Sequence, residues 1–243
     1  MYIRSRRSGL GLLSMLWSAT LVNAYTWPNP DIDFLESLYY QHNGHNSIDF
    51  GVLAASCGTG TDFPLPGIIA SAEWLRTAYH DMATANVTAG TGGMDASISF
   101  ELDRPENKGN AFLNTIDKLT FAMSASSSLA DLIALATIMV ITACSPTPTR
   151  APIVIPFRAG RIDATGPGPT GVPRPEERLQ EHVEKFAYQG FNTTDMIGLV
   201  ACGHSIGGVH GKDFPEIVPV LNTSVRISIP LLYFPVSLPS MWI

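Results

Sequence analysis

The sequence predicts a mostly α-helical fold, and three observations predict it. Several segments carry apolar residues three and four positions apart, the period of one helix face. One stretch, Leu129 to Ala143, is almost wholly apolar, the pattern of a helix buried on all sides. No segment shows strict apolar–polar alternation sustained over several strands.

Arg4, Arg6 and Arg7 precede a short apolar run from Leu10 to Val22, which closes on Asn23 and Ala24. This is the layout of a secretory signal peptide over residues 1–24, cleaved after Ala24, and it predicts a secreted, extracellular protein. The run is too short to span a bilayer, which argues against a membrane anchor. Cleavage removes three positive charges and no negative one, moving the net charge from −6 to −9. A chain that acidic is a poor nucleic-acid binder. Sequons at Asn86, Asn192 and Asn222 fit export and glycosylation. The three cysteines, Cys57, Cys144 and Cys202, allow one disulfide plus a free thiol. A pairing of Cys144 with Cys202 is one option, and it leaves Cys57 over.

Asp31 to Gln41 reads as a short amphipathic helix, and residues 42–65, rich in Gly, Asn and Ser, as loop. Pro66 can open a helix that runs to Ala85, because its missing N–H is not needed in a first turn. Asn86 to Ser99 is a loop dense in Gly and Asp. Asn110 to Met123 carries Phe112, Leu113, Ile116, Leu119, Phe121 and Met123 as a helical stripe. Ser128 with Asp131 resembles a capping box for Leu129 to Ala143. Pro146 and Pro148 end that helix, and a Gly/Pro-rich loop leads to Pro175. Glu176 to Tyr188 places Leu179, Val183, Phe186 and Ala187 on one face. Thr193 or Thr194 then caps a last helix that reaches His204.

Three constellations carry chemistry. Arg76 and His80 lie four apart, hence on one helix face: a proton acceptor beside a fixed positive charge, with Asn107 as the partner that would fix the imidazole. Asp81, Gly93, Asp95 and Ser97 offer two carboxylates, a carbonyl and a hydroxyl, the hard oxygens that suit calcium. His204 ends a stripe of Ile197, Val200 and Ala201 on an apolar helix and reads as a buried histidine, placed as a metal ligand would be.

These residues fall in stretches that resemble the plant/fungal/bacterial haem peroxidase superfamily, in the form of a secreted fungal peroxidase. The stretches are Ala72 to Ala83, Gly92 to Ser97, Ser99 to Asn107, Ala130 to Leu135, Pro156 to Ala164 and Gly203 to Gly208, in order and with familiar spacing from about residue 50 to about residue 219. The resemblance implies haem b held between a distal helical half, residues 25–150, and an incomplete proximal half, residues 151–219. It makes His204 the iron ligand, Arg76 and His80 the peroxide-cleaving pair, and Asn107 the residue that orients His80. It gives Asp81, Gly93, Asp95 and Ser97 to a distal calcium ion and Ser205 to a proximal one. Hydrogen peroxide and a small reducing substrate are the implied partners of a monomeric enzyme, with no nucleic acid and no membrane.

The sequence departs from that pattern in three places. Tyr79 stands where relatives carry Phe or Trp and adds an oxidisable phenol. Residues 145–150 replace a short connection. The resemblance fades near Pro219, leaving an apolar tail, residues 220–243, without charge after Arg226 and without a proximal Asp after Asp213. A truncated, inactive product is therefore an alternative expectation. A more distant one is a serine hydrolase, because Gly203-His204-Ser205-Ile206-Gly207 fits the nucleophile elbow around Ser205.

Overall fold

The computed structural model describes residues 69–121, 123, 127–144, 155–211, 213–215 and 225–226. The signal peptide, the Asp31 to Gln41 helix, Cys57, residues 145–150, Asn222 and the tail from 227 onward lie outside them. Within the described residues the fold is mostly α, as the sequence predicts. Five helices carry it: α1 (Ala70–Met82), α2 (Ala111–Phe121), α3 (Leu129–Ala143), α4 (Leu179–Tyr188) and α5 (Thr193–Gly203). Short 3-10 turns cover Ser97–Phe100 and Pro105–Asn107. Two-residue strands, β1 (Gly208–Val209) and β2 (Val225–Arg226), pair antiparallel, with Gly208 opposite Arg226.

Helix α3 is the centre. Leu132, Ile133, Leu135, Ala136 and Val140 are all but completely buried, so the helix is covered on every side. Helix α1 packs against both α2 and α3, and Trp74, Phe112 and Leu119 fill the space between. On α2 the predicted stripe narrows. Phe112, Thr115 and Leu119 face inward with Ala111, while Leu113, Phe121 and Met123 are exposed. On α4 only Phe186 of the predicted face is buried, and Leu179 points outward. The start of α4 also shifts, since Arg174 to Glu177 form a turn and the helix begins after Arg178. The cap of α5 is Asn192 rather than a threonine: its Oδ1 accepts from Thr194 N and Asp195 N.

The capping box at α3 is half realised. Asp131 N donates to Ser128 Oγ, but the Asp131 carboxylate turns away to accept from Gly160 N, Arg161 N and Arg161 Nη1. In exchange, Asp163 accepts from Leu129 N at 2.9 Å and Ala130 N at 2.8 Å. Two carboxylates far apart in sequence thus satisfy each other's backbone donors, and one of them closes the start of the central helix. The loop that follows is locked to the end of α1. A Cβ on Gly171 would run into Ala83 O, so only glycine lets the two backbones touch.

Replacing Asp163 by Ala leaves two α3 amides without an acceptor. Chemical denaturation is expected to show a loss of about 1–3 kcal/mol with an unchanged slope against denaturant.

Candidate active site

Helix α1 delivers His80 and Arg76 to one place, as their spacing predicts. The Arg76 guanidinium lies 4.3 Å from the centre of the Phe112 ring, and the His80 ring centre is 4.7 Å from it. Phe112 is therefore a shared floor. Its position in the α2 stripe marks it as core, and nothing in the sequence marks it as part of a site.

His80 is buried, 8% exposed. Its Nδ1 lies 2.7 Å from Asn107 Oδ1. Asn107 Nδ2 donates to Glu101 O at 2.8 Å, which fixes the amide with its oxygen toward the imidazole. An amide oxygen only accepts, so the His80 proton sits on Nδ1 and Nε2 keeps its lone pair. Burial, and after it the nearby Arg76 charge, lower the His80 pKa to about 3, against the opposing pull of Asn107. Burial likewise lowers Arg76 to about 10, with Asp213 and Glu73 opposing, so the guanidinium stays charged at neutral pH. Its Nη2 donates to Lys108 O at 3.1 Å. The site is a neutral base beside a fixed cation.

Tyr79 turns its hydroxyl toward Gln189 Oε1, 3.5 Å away, and sets its ring edge-on to His80 at 6.1 Å. Burial pushes the phenol pKa up. Gln189 can accept the hydrogen bond but is no base for the proton. Its own Nε2 donates to Gly171 O at 3.2 Å.

Asp81 is fully buried and accepts from Ala96 N at 2.9 Å and Ile98 N at 3.0 Å. Burial raises its pKa to about 7 against those two hydrogen bonds, and Asp95 and Glu101 add to the rise. Asp95 Oδ1 accepts from Ser97 N, and Gly93 O accepts from Asp95 N and Thr84 Oγ. Ser97 Oγ is buried without a hydrogen bond of ordinary geometry, although the Glu101 carboxylate is close by. A buried carboxylate with a raised pKa suits a hard cation, which would favour its ionised form. Among the described residues no group of three or more His, Cys, Asp or Glu converges, so a cation here relies on the hydroxyl and carbonyl oxygens as well.

His204 differs from the expectation. It is exposed rather than buried, and Ile197 and Val200 on the same face of α5 are exposed with it, at 57% and 46%. Helix α5 packs on α4 through its other side, where Met196 is buried, and no described element covers the His204 face. His204 Nδ1 lies 2.8 Å from Val200 O, so Nδ1 donates and Nε2 is free, the tautomer of a metal-ligating histidine. Ser205 follows a helix rather than a strand, and its Oγ donates to Cys202 O at 2.6 Å. The strand-to-helix elbow of a hydrolase is absent at Ser205. Cys202 is free and Cys144 is disulfide-bonded, so these two do not pair with each other.

The family model described as Peroxidase matches residues 65–228. This chain belongs to the plant/fungal/bacterial haem peroxidase superfamily. The peroxidase match runs past Pro219, where the resemblance read from the sequence fades. A WSC domain-containing protein of Arthroderma benhamiae is 42% identical over 212 residues, 85% of this chain and 28% of that protein. An Arabidopsis thaliana protein named as an ascorbate peroxidase is 32% identical over 138 residues, 55% of this chain and 40% of its own length. Peroxidase 44 of the same plant is 27% identical over 176 residues, 64% of this chain and 53% of its length. The chain thus spans from about a quarter to about half the length of these relatives.

NMR titration of the imidazole is expected to leave His80 neutral from pH 7 down to about 4, with its midpoint near 3. Asn107→Ala is expected to move that midpoint lower still, because the lost hydrogen bond favours the protonated ring.

Proposed function

We propose that the chain is a secreted haem peroxidase that reduces hydrogen peroxide and oxidises a small donor by one-electron steps. The observation that carries this reading is the matched tautomer of its two histidines. His80 and His204 each commit Nδ1 to a fixed acceptor and keep Nε2 free, one buried beside the Arg76 cation, the other on an exposed helix face. His204 is the residue to hold the iron of haem b. When bound, haem supplies a redox-active iron with one position left open to peroxide.

The chain's own residues supply the rest. His80 Nε2 takes a proton from the peroxide oxygen that stays and returns it to the one that leaves. Asn107 holds the ring by Nδ1 and so keeps Nε2 as the acceptor throughout. Arg76, charged and held on Lys108 O, stabilises negative charge on the departing oxygen. Because the base has a pKa of about 3, the acid limb of peroxide cleavage lies far below that of an ordinary histidine. Asp81, Gly93, Asp95 and Ser97 would hold calcium next to the helix that carries His80, and Ser205 would contribute to a second calcium site. Asn86 and Asn192 use Oδ1 in backbone hydrogen bonds, which leaves Nδ2 for an N-linked glycan after export.

A second reading is a chain that no longer turns over. Haem titration separates the two. The purified chain is expected to give a ferric single-histidine spectrum that His204→Ala abolishes. His80→Leu and Arg76→Leu are each expected to slow peroxide cleavage by about 10²–10⁴-fold. Saturable haem binding without cleavage is the result that favours the second reading.

Asp81 gives a pH test. Its folded pKa lies above the unfolded 3.8, so the folding contribution of its neutral form is present below 3.8 and is lost as pH rises through about 7. Calcium reverses that loss by favouring the ionised form. Added calcium is expected to raise the melting temperature more at pH 8 than at pH 5, and Asp81→Asn to remove the difference.

A further inference from the structure

Consecutive residues hold the distal pair. Asn107 takes the His80 imidazole, and the carbonyl of Lys108 takes Arg76 Nη2. The next residue, Gly109, has φ +100°, and a Cβ there would stand 3.3 Å from Asp213 Oδ2. The carboxylate of Asp213 is seated on this glycine. Beside it, Lys108 Nζ lies 4.7 Å from the centre of the Phe214 ring. Asp213 N and Phe214 N both donate to His210 O, at 3.0 and 2.9 Å, so a turn of the main chain carries both residues. The segment downstream of His204 therefore rests on the same strip, 107–109, that aims His80 and Arg76.

The charges point the same way. Asp213 and Glu73 are the anions that act on Arg76, Asp213 the more strongly. Glu73 is buried one turn earlier on α1. Its Oε1 accepts from Asn114 Nδ2, and its Oε2 has no hydrogen-bond partner.

We propose that Asp213 is a positioning residue for the distal arginine. Seated on Gly109, next to the Lys108 carbonyl that takes Arg76, its negative charge steadies the guanidinium on that carbonyl and weakens the positive field shown to an incoming anion. Hydrogen peroxide is neutral at working pH and loses little by this, whereas a small anion such as fluoride loses affinity. Asp213 thus favours a neutral ligand over a charged one. The proposal deepens the peroxidase reading and rests on it.

Asp213→Asn and Asp213→Glu, made in the full chain, test it by two measurements. The first needs no haem: the rate at which phenylglyoxal modifies Arg76, read by peptide mass spectrometry against Arg104 and Arg161. The second is fluoride affinity of the haem-loaded protein. Asp213→Asn is expected to label Arg76 about fivefold faster relative to the two reference arginines and to bind fluoride about fivefold tighter. Asp213→Glu is expected to stay within about twofold of the parent in both. A merely structural role predicts the opposite sign, weaker fluoride binding with all three arginines labelled faster, and that result overturns the proposal. So does an Asn variant indistinguishable from the parent. If the chain takes up no haem, the peroxidase reading fails, and the labelling ratio still decides whether Asp213 acts on Arg76.

Discussion

Helix α1 buries five polar side chains, Ser71, Glu73, Thr77, His80 and Asp81, against an otherwise apolar core. Each must find a partner there or lose more than it gains, and that requirement organises the surrounding structure. Thr77 bonds back to its own helix. Asp81 gathers the amides of Ala96 and Ile98, and with them the Gly-rich loop that would otherwise have no reason to fold inward. His80 recruits Asn107, and Asn107 recruits the Glu101 carbonyl. The Glu101 side chain then accepts from Gly168 N and pairs with Arg104. A chain of polar satisfaction thus runs from one helix face to a loop far along the sequence.

The functional chemistry and the fold share these bonds. The hydrogen bond that fixes the tautomer of His80 also anchors the 3-10 turn that contains Asn107. The carboxylate offered to a hard cation is the same one that orders the loop around it. Asp81 stands one residue from His80 on the same helix, so the loop it orders and the imidazole share one stretch of backbone.

What the sequence revealed follows from range. Helix α3 was legible to the residue, because fifteen nearly continuous apolar positions leave no other solution. Arg76, His80 and Asp81 were legible because four-residue spacing alone puts the first two on one face. The Asp163 cap, the Glu101 carbonyl behind Asn107, the Phe112 floor and the Asp213 seat were not. Each depends on a partner distant in sequence, and no local pattern announces such a partner. The exposure of His204 was hidden for a related reason. An apolar stripe shows that a face seeks cover, not which part of the molecule provides it.

The close approach of Gly171 to the end of α1 has an evolutionary consequence. Gly92 meets the Thr84 carbonyl in the same way, one residue further along. Two glycines from separate loops pinch consecutive carbonyls, so the register of α1 is read out just past the point where it stops. Drift in the sequence between these points is tolerable as long as both remain bare of side chains. A saturating mutational scan would find two positions that accept nothing else.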